Sequence, residues 1–249
     1  MTAAAGDAEP DRPSRWVLRS ALGVGLLAGS WWALRDERVQ RLDVRVGDRV
    51  RRAGSADLDR AVALTTDLGS IYSVIGIAAA LAASGRRRAA ADVACVGALA
   101  WNLAQVNKRR VRRLRPYERE GVRRLVRPPT GSSFPSGHAA VGAAVMTVLA
   151  DSAQRRWART LLHGLGAYVG WSRVFVGVHY PTDVLGGAGL GLALGSLWRG
   201  PVAALGRRLL GAGVTVGRGA LPPLARAGLW AAFGVRSRRR RRDSGHGRD

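Results

Sequence analysis

The chain is poor in cysteine, lysine and acidic residues. Cys95 is its one cysteine, Lys108 its one lysine, and 17 acidic residues face 40 basic ones among 249. A solitary Cys95 inside an apolar run excludes a disulfide framework within the chain and any cysteine-based zinc site. The shortage of acids leaves a formal net charge of +23, which calls for an anionic partner, either nucleic acid or a membrane surface. Disorder throughout is excluded, because 47% of the residues are hydrophobic and 8 are Trp, enough apolar material to build a core. Every basic residue except Lys108 is Arg, which makes that position conspicuous.

What is present is a layout in which Arg clusters separate stretches of Ala, Leu, Val and Gly. Six candidate membrane spans follow: 20–34, 61–84, 89–107, 138–150, 157–178 and 182–198. Crossing a hydrocarbon core of about 30 Å takes roughly 20 helical residues, so the first, fourth and sixth must recruit their flanks. Trp16, Trp31, Trp32, Trp157, Trp171 and Trp198 fall at or near span ends, as an interfacial aromatic belt requires. The expected architecture is all-α: a polytopic six-helix membrane bundle with an interfacial amphipathic helix. That helix is expected between the first two spans, where Val39, Leu42, Val46 and Val50 form an apolar stripe among charges. Packing of the same stripe on the bundle is the alternative.

The expected domain division is a disordered segment at 1–15, a six-span domain at 16–198, an amphipathic or irregular segment at 199–235 and a disordered polybasic tail at 236–249. The first span ends in Trp-Trp-Ala-Leu-Arg with no small-residue cleavage site, so it is expected to stay as an uncleaved anchor. Arg86 to Arg88 fill one inter-span link, and Arg155, Arg156 and Arg159 fill another. By the positive-inside rule both termini then lie in the cytoplasm of a bacterial plasma membrane, and the loops 108–135 and 173–183 share the outer face. The first of these loops is densely basic for an exported segment.

Three blocks of chemistry-bearing residues lie in those two loops: Lys108 with Arg115-Pro116, Pro135-Ser136-Gly137-His138, and Ser172-Arg173 with His179 and Asp183. A phosphoryl group in transfer carries negative charge on its equatorial oxygens, so its site needs fixed cations and N–H donors around one point. Lys108, Arg115 and Arg173 supply cations. The Ser136 hydroxyl, the small Gly137 and the N-terminus of the helix that follows supply donors. If Asp183 takes the Nδ1 proton of His179, Nε2 is left as a nucleophile, and His138 can protonate a leaving oxygen and later activate water. His163 and His246 are read as packing or surface residues. Asp92 is expected to pair with Arg88 one turn away. Asp67 either reaches the site or bonds locally to Thr65 or Thr66. Gly187, Gly191 and Gly195 are expected to allow close helix packing within the bundle, with a homodimer contact as the minor reading.

In this order and spacing the three blocks resemble the signature of the type 2 phosphatidic acid phosphatase superfamily, which also includes vanadium haloperoxidases and bacterial acid phosphatases. The resemblance implies His179 as nucleophile, Asp183 as its partner, His138 as acid and base, and Lys108, Arg115, Ser136, Gly137 and Arg173 as phosphate ligands, with no metal and no other cofactor. It further implies a membrane enzyme that removes phosphate from a lipid phosphate or diphosphate: polyprenyl diphosphate, phosphatidic acid, phosphatidylglycerol phosphate or a polyprenyl phosphosugar. Anionic lipids then account for the charge without nucleic acid. A phosphotransferase, a noncatalytic binder of anionic lipid and a vanadate-dependent halide oxidase are the rival readings.

Overall fold

A computed structural model describes residues 13–118, 122–198 and 202–211, and all of its regular structure is helical. In chain order the helices are α1 (Pro13–Ala33), α2 (Glu37–Arg52), α3 (Ala56–Thr65), α4 (Ile71–Ala83), α5 (Arg87–Arg110), α6 (Gly137–Ser152), α7 (Arg156–Phe175) and α8 (Pro181–Leu197), followed by helical turns at 202–211. Short polar side chains start several of them: Asp36, Ser55, Ser70 and Ser136 each accept a backbone N–H of the first turn of α2, α3, α4 and α6. Pro181 opens α8, where a missing N–H costs nothing.

Helix α6 is the centre of the bundle and packs on α5, α7 and α8, while α1 lies along α8. The buried core is built of small side chains, with Val93, Val96, Ala100 and Ala104 of α5 meeting Ala140, Val141, Ala144 and Val145 of α6. Glycines bring α8 closer still. A Cβ at Gly187 or Gly191 would lie 2.3 Å or 2.2 Å from the carbonyl oxygen of Ser136 or Ala140, so these positions serve packing inside the chain. Larger apolar side chains point outward: Leu22, Val24, Ile75, Leu161 and Leu185 are all exposed. Small residues inside and bulky apolar residues outside is the arrangement of a bundle whose surroundings are themselves apolar.

The helices fall where the sequence reading places them, with three differences. First, the expected span 61–84 is not one helix. It breaks at Thr66–Gly69, a 3-10 turn, and the two halves bend by 69°. The cause is local: Thr66 turns inward to share hydrogen bonds with Ser172 and Arg173, and Gly69 sits so close to the His138 carbonyl that a Cβ would be 2.6 Å from it. Among the described residues only α5 can cross a membrane unaided by length and composition, or up to 3 spans if the bent pairs α1–α2 and α3–α4 each count as one. Second, Asp92 does not pair with Arg88 but accepts from Arg207 at 2.6 Å and from the Trp198 indole at 2.9 Å. Third, Trp198 is therefore buried and belongs to the core, whereas Trp31, Trp32, Trp157 and Trp171 are exposed as a belt requires. On α2, Asp43 and Gly47 are buried while Leu42 and Val46 stay exposed. Residues 1–12 and the polybasic tail lie outside the described residues.

Tight turns join α4 to α5 and α6 to α7 at one end of the bundle. The C-terminal ends of α5 and α7 and the N-terminal ends of α6 and α8 consequently meet at the other end. That meeting point holds every candidate site residue.

Candidate active site

His179 follows α7 on a short turn whose N–H groups are returned to the Arg173 carbonyl, and it is 2% exposed. Its Nδ1 lies 3.6 Å from Asp183 Oδ2 and 3.5 Å from Ser133 Oγ, while Nε2 faces Arg115 Nη1 at 3.4 Å. A guanidinium can only donate, so Nε2 must carry the lone pair and Nδ1 the proton. Burial pushes the imidazole pKa down to about 3, and the cations of Lys108 and Arg115 push the same way against Asp183. His179 is thus neutral at physiological pH, with its lone pair aimed at the cluster of cations.

Asp183 is fully buried in the first turn of α8, and each of its oxygens is occupied. Oδ1 accepts from Arg113 at 2.6 Å, and Oδ2 accepts from Ser133 Oγ at 2.5 Å and the Tyr180 N–H at 2.8 Å. Arg113 continues to a second buried carboxylate, Asp43 of α2, again at 2.6 Å. Burial opposes the Arg113 charge, yet Asp183 and Asp43 together raise its pKa above the ordinary value.

Arg115 is 0% exposed and commits itself largely to main chain, donating to the carbonyls of Thr130, Gly131, Ser132 and Val178. These bonds hold the 130–132 loop against the turn that carries His179 and leave Nη1 beside the imidazole. Arg173, in the last turn of α7, donates from Nη1 to Thr66 Oγ1 at 2.8 Å and lies 3.8 Å from Asp67. Its Nε is buried with no hydrogen-bond partner among the described residues. An orphaned donor on a buried cation loses its hydration without compensation, a cost that an anion at this point removes.

Ser136 caps α6, and its own N–H donates to the Asp183 carbonyl at 2.9 Å, which ties the start of α6 to the start of α8. Gly137 leaves room for the Trp101 ring, which a Cβ would meet at 3.4 Å. His138 stands edge-on to Trp101 with centroids 6.1 Å apart, and its Nε2 lies 3.3 Å from Asp67 Oδ1. Lys108, at the end of α5, is within electrostatic reach of Arg115, Arg173 and Asp183. It lines a cavity of about 640 Å³ with Arg109, Arg112, Arg113, Glu118 and Thr130. A second cavity of about 690 Å³, lined by Leu34, Val44, Val111, Leu114 and Tyr180 among others, adjoins it across Arg113.

All eight residues singled out from sequence therefore meet at one end of the bundle. Asp67 joins them through His138 instead of bonding to Thr65 or Thr66, whose hydroxyls go to Tyr168 and Ser172. Sequence reading missed Ser133, Arg113 as a carboxylate bridge, and Asp43. Ser133 is flanked by the recognised Pro-Ser-Gly-His block and was within reach of inspection. Nothing in α2 separates Asp43 from Asp48, which pairs locally with Arg51.

The description "PAP2 superfamily" belongs to the family model that matches residues 89–203. The chain is 38% identical over 91 residues to the undecaprenyl-diphosphatase of Sulfolobus acidocaldarius, a stretch covering 36% of this chain and 43% of that protein. It is 36% identical over 116 residues to the decaprenylphosphoryl-5-phosphoribose phosphatase of Mycolicibacterium smegmatis, covering 47% of this chain and 62% of the relative. The matched stretches thus span less than two thirds of these relatives' length. Among solved structures, the transmembrane PAP2-type phosphatidylglycerolphosphate phosphatase from Bacillus subtilis superposes with a TM-score of 0.61 at 28% identity, over 73% of this chain and 92% of that one. Matching motifs, matching helices and the family model converge on the PAP2 superfamily, whose model covers residues 89–203 of the chain.

Proposed function

We propose that the protein is a membrane lipid phosphatase that hydrolyses a lipid phosphate or diphosphate through a phosphohistidine, without a metal. The observation that carries this reading is the pairing of a neutral His179, Nε2 toward Arg115, with a buried excess of cations that includes the orphaned Arg173 Nε. Cationic donors of this kind suit phosphate oxygens directly, whereas a divalent ion would need carboxylates facing it.

The phosphoryl oxygens rest against Arg173, Lys108, Arg115, the Ser136 hydroxyl and the N-terminal N–H groups of α6. Nε2 of His179 attacks phosphorus as the bond to the leaving oxygen breaks, and His138 gives that oxygen a proton. Asp183, aligned by Ser133 and Arg113, stabilises the positive charge that appears on the imidazole. His138, now deprotonated, takes a proton from water as the water oxygen attacks phosphorus; phosphate leaves and Nε2 regains its lone pair. Asp67 holds the His138 ring for both proton transfers.

A lipid is favoured because the basic cavity at Lys108 adjoins one whose walls include Leu34, Val44, Val111 and Leu114 beside Arg41 and Gln40, so a headgroup and the start of its chain can be held together. The relatives named above are a prenyl diphosphatase, a prenyl phosphosugar phosphatase and a phosphatidylglycerolphosphate phosphatase. In this reading α1, α4, α5, α6, α7 and α8 are six crossings. At about 1.5 Å per residue the 13-residue α4 reaches only about 20 Å, so its lipid-facing ends need interfacial anchors. Helix α2 lies at the site-bearing surface with Leu42 and Val46 toward lipid, the termini are cytoplasmic, and the site faces outward.

The test is phosphate release by the purified protein from a panel of lipid mono- and diphosphates. His179→Ala is expected to abolish turnover with insertion intact, and wild-type activity is expected to survive EDTA. Unchanged turnover of the variant would sink the mechanism, and a strict Mg²⁺ requirement would contradict the metal-free site. A membrane-impermeant label directed at the 122–135 loop should react from outside intact cells; reaction only after lysis reverses the topology.

A further inference from the structure

We propose that Asp43, on the surface helix α2, is a positioning residue for the His179–Asp183 pair and acts through Arg113 and Thr182; this rests on the phosphohistidine reading above. Helix α2 carries its acids among many arginines, yet Asp43 alone is turned inward and is 2% exposed. All of its hydrogen bonds go toward the catalytic turn. Oδ2 accepts from Arg113 Nη2 at 2.6 Å and from Thr182 Oγ1 at 2.5 Å, and Oδ1 accepts the Thr182 N–H at 3.0 Å. Thr182 Oγ1 in turn accepts from Arg113 Nη1 at 2.7 Å.

The Arg113 guanidinium is a planar fork held at both tips: Nη2 on Asp43, Nη1 on Asp183 Oδ1. Its plane also lies over the Tyr180 ring, 4.2 Å from the centroid. A fork held at two tips has a fixed direction; one held at a single tip can pivot. Fixing Arg113 fixes Asp183 Oδ1, and because Oδ2 is bound to Ser133 and the Tyr180 N–H, the carboxylate has one orientation toward His179.

Charge gives a second, separate reason. Beside Asp183 alone, Arg113 would cancel the carboxylate that must stabilise the positive charge on phosphorylated His179. Asp43 balances Arg113, so Asp183 keeps its effect on the imidazole. Burying a carboxylate in α2 without such partners would be strongly unfavourable, and the neighbouring acid Asp48 stays 38% exposed with a local Arg51 partner. The site-facing placement of Asp43 is thus specific to this network.

The experiment compares wild type, Asp43→Asn, Asp43→Glu and Arg113→Lys in the full chain, with His179→Ala alongside, measuring kcat, KM for a lipid phosphate, competitive inhibition by inorganic phosphate and the thermal unfolding midpoint. Asp43→Asn keeps shape and removes charge. It is expected to lower kcat about 10- to 100-fold, the usual effect of losing such an outer partner, with KM and phosphate inhibition within about 3-fold of wild type because the phosphate ligands are intact. Asp43→Glu should recover most of the loss. Arg113→Lys keeps the cation but cannot bridge two carboxylates, and it should lose kcat as Asp43→Asn does; this variant decides the question if Asp43→Asn does not fold. Wild-type kcat in either variant, or a fall in kcat that only follows a lowered unfolding midpoint with a raised KM, overturns the proposal. If His179→Ala is itself active, the phosphohistidine reading has failed, and that outcome is distinct from a dead His179→Ala beside an unaffected Asp43→Asn.

Discussion

The two ends of the bundle each hold charges at a meeting of helices, and they resolve them differently. At the end carrying the 84–86 and 153–155 turns, Asp92 faces Arg207 and the Trp198 indole, one acid against one base, with the two side chains 19% and 33% exposed. At the other end Arg115 and Arg173 are essentially buried, Arg113 and Lys108 largely so, and the buried acids among the described residues there are Asp43 and Asp183. Asp67 is 74% exposed, and Glu118, which accepts the Arg115 N–H, is exposed as well. The Asp92–Arg207 pair is a neutral clasp, whereas the second end keeps a buried positive excess. A protein accepts the cost of such an excess only where an anion repays it, so the imbalance itself marks the site.

Removing one arginine from each end is the sharpest way to break this comparison. Arg173→Met takes away the buried cation with the orphaned Nε and is expected to cut kcat/KM for a lipid phosphate by about 10²- to 10³-fold, the loss typical of one oxyanion-stabilising donor. A change below 3-fold would mean the excess is not functional. A smaller effect, on stability, is expected from Gly191→Ala in the packed middle that joins both ends. The added Cβ would approach the Ala140 carbonyl to 2.2 Å and force α6 and α8 apart, at a cost of about 1–3 kcal/mol, read as a lower unfolding midpoint in detergent. The smallest effect belongs to Arg207→Met: a partly exposed pair contributes at most about 1 kcal/mol, and kcat should be unchanged. A kcat loss comparable to that of Arg173→Met would erase the distinction between the ends.

The site was largely legible in sequence because its members come in fixed local spacings. The lone Lys108 and Arg115 bracket one loop, Ser136 and His138 share a helix start, and Arg173, His179 and Asp183 flank one turn. Such spacings survive without tertiary information. Partners that depend on distant elements were not legible. Arg88 is the obvious local partner for Asp92, yet Arg207 arrives from 115 residues away. The break at Thr66–Gly69 was hidden by averaging over an apolar run, although Thr-Thr-Asp-Leu-Gly-Ser is a dense polar interruption. Trp198 sits where a belt residue would, and its burial in the core and its bond to Asp92 show otherwise.

The sequence by itself determined that helices would form, that small residues would pack them, and that a histidine, a carboxylate and several cations would gather at one place. Those outcomes follow from local periodicity, composition and short spacings. The tertiary structure alone decided which acid of α2 turns inward, that Arg113 joins it to Asp183, that Asp67 reaches His138, and that His179 presents Nε2 to Arg115. Each of these depends on two segments far apart in the chain arriving at one point, where burial removes water and makes every charge choose a partner.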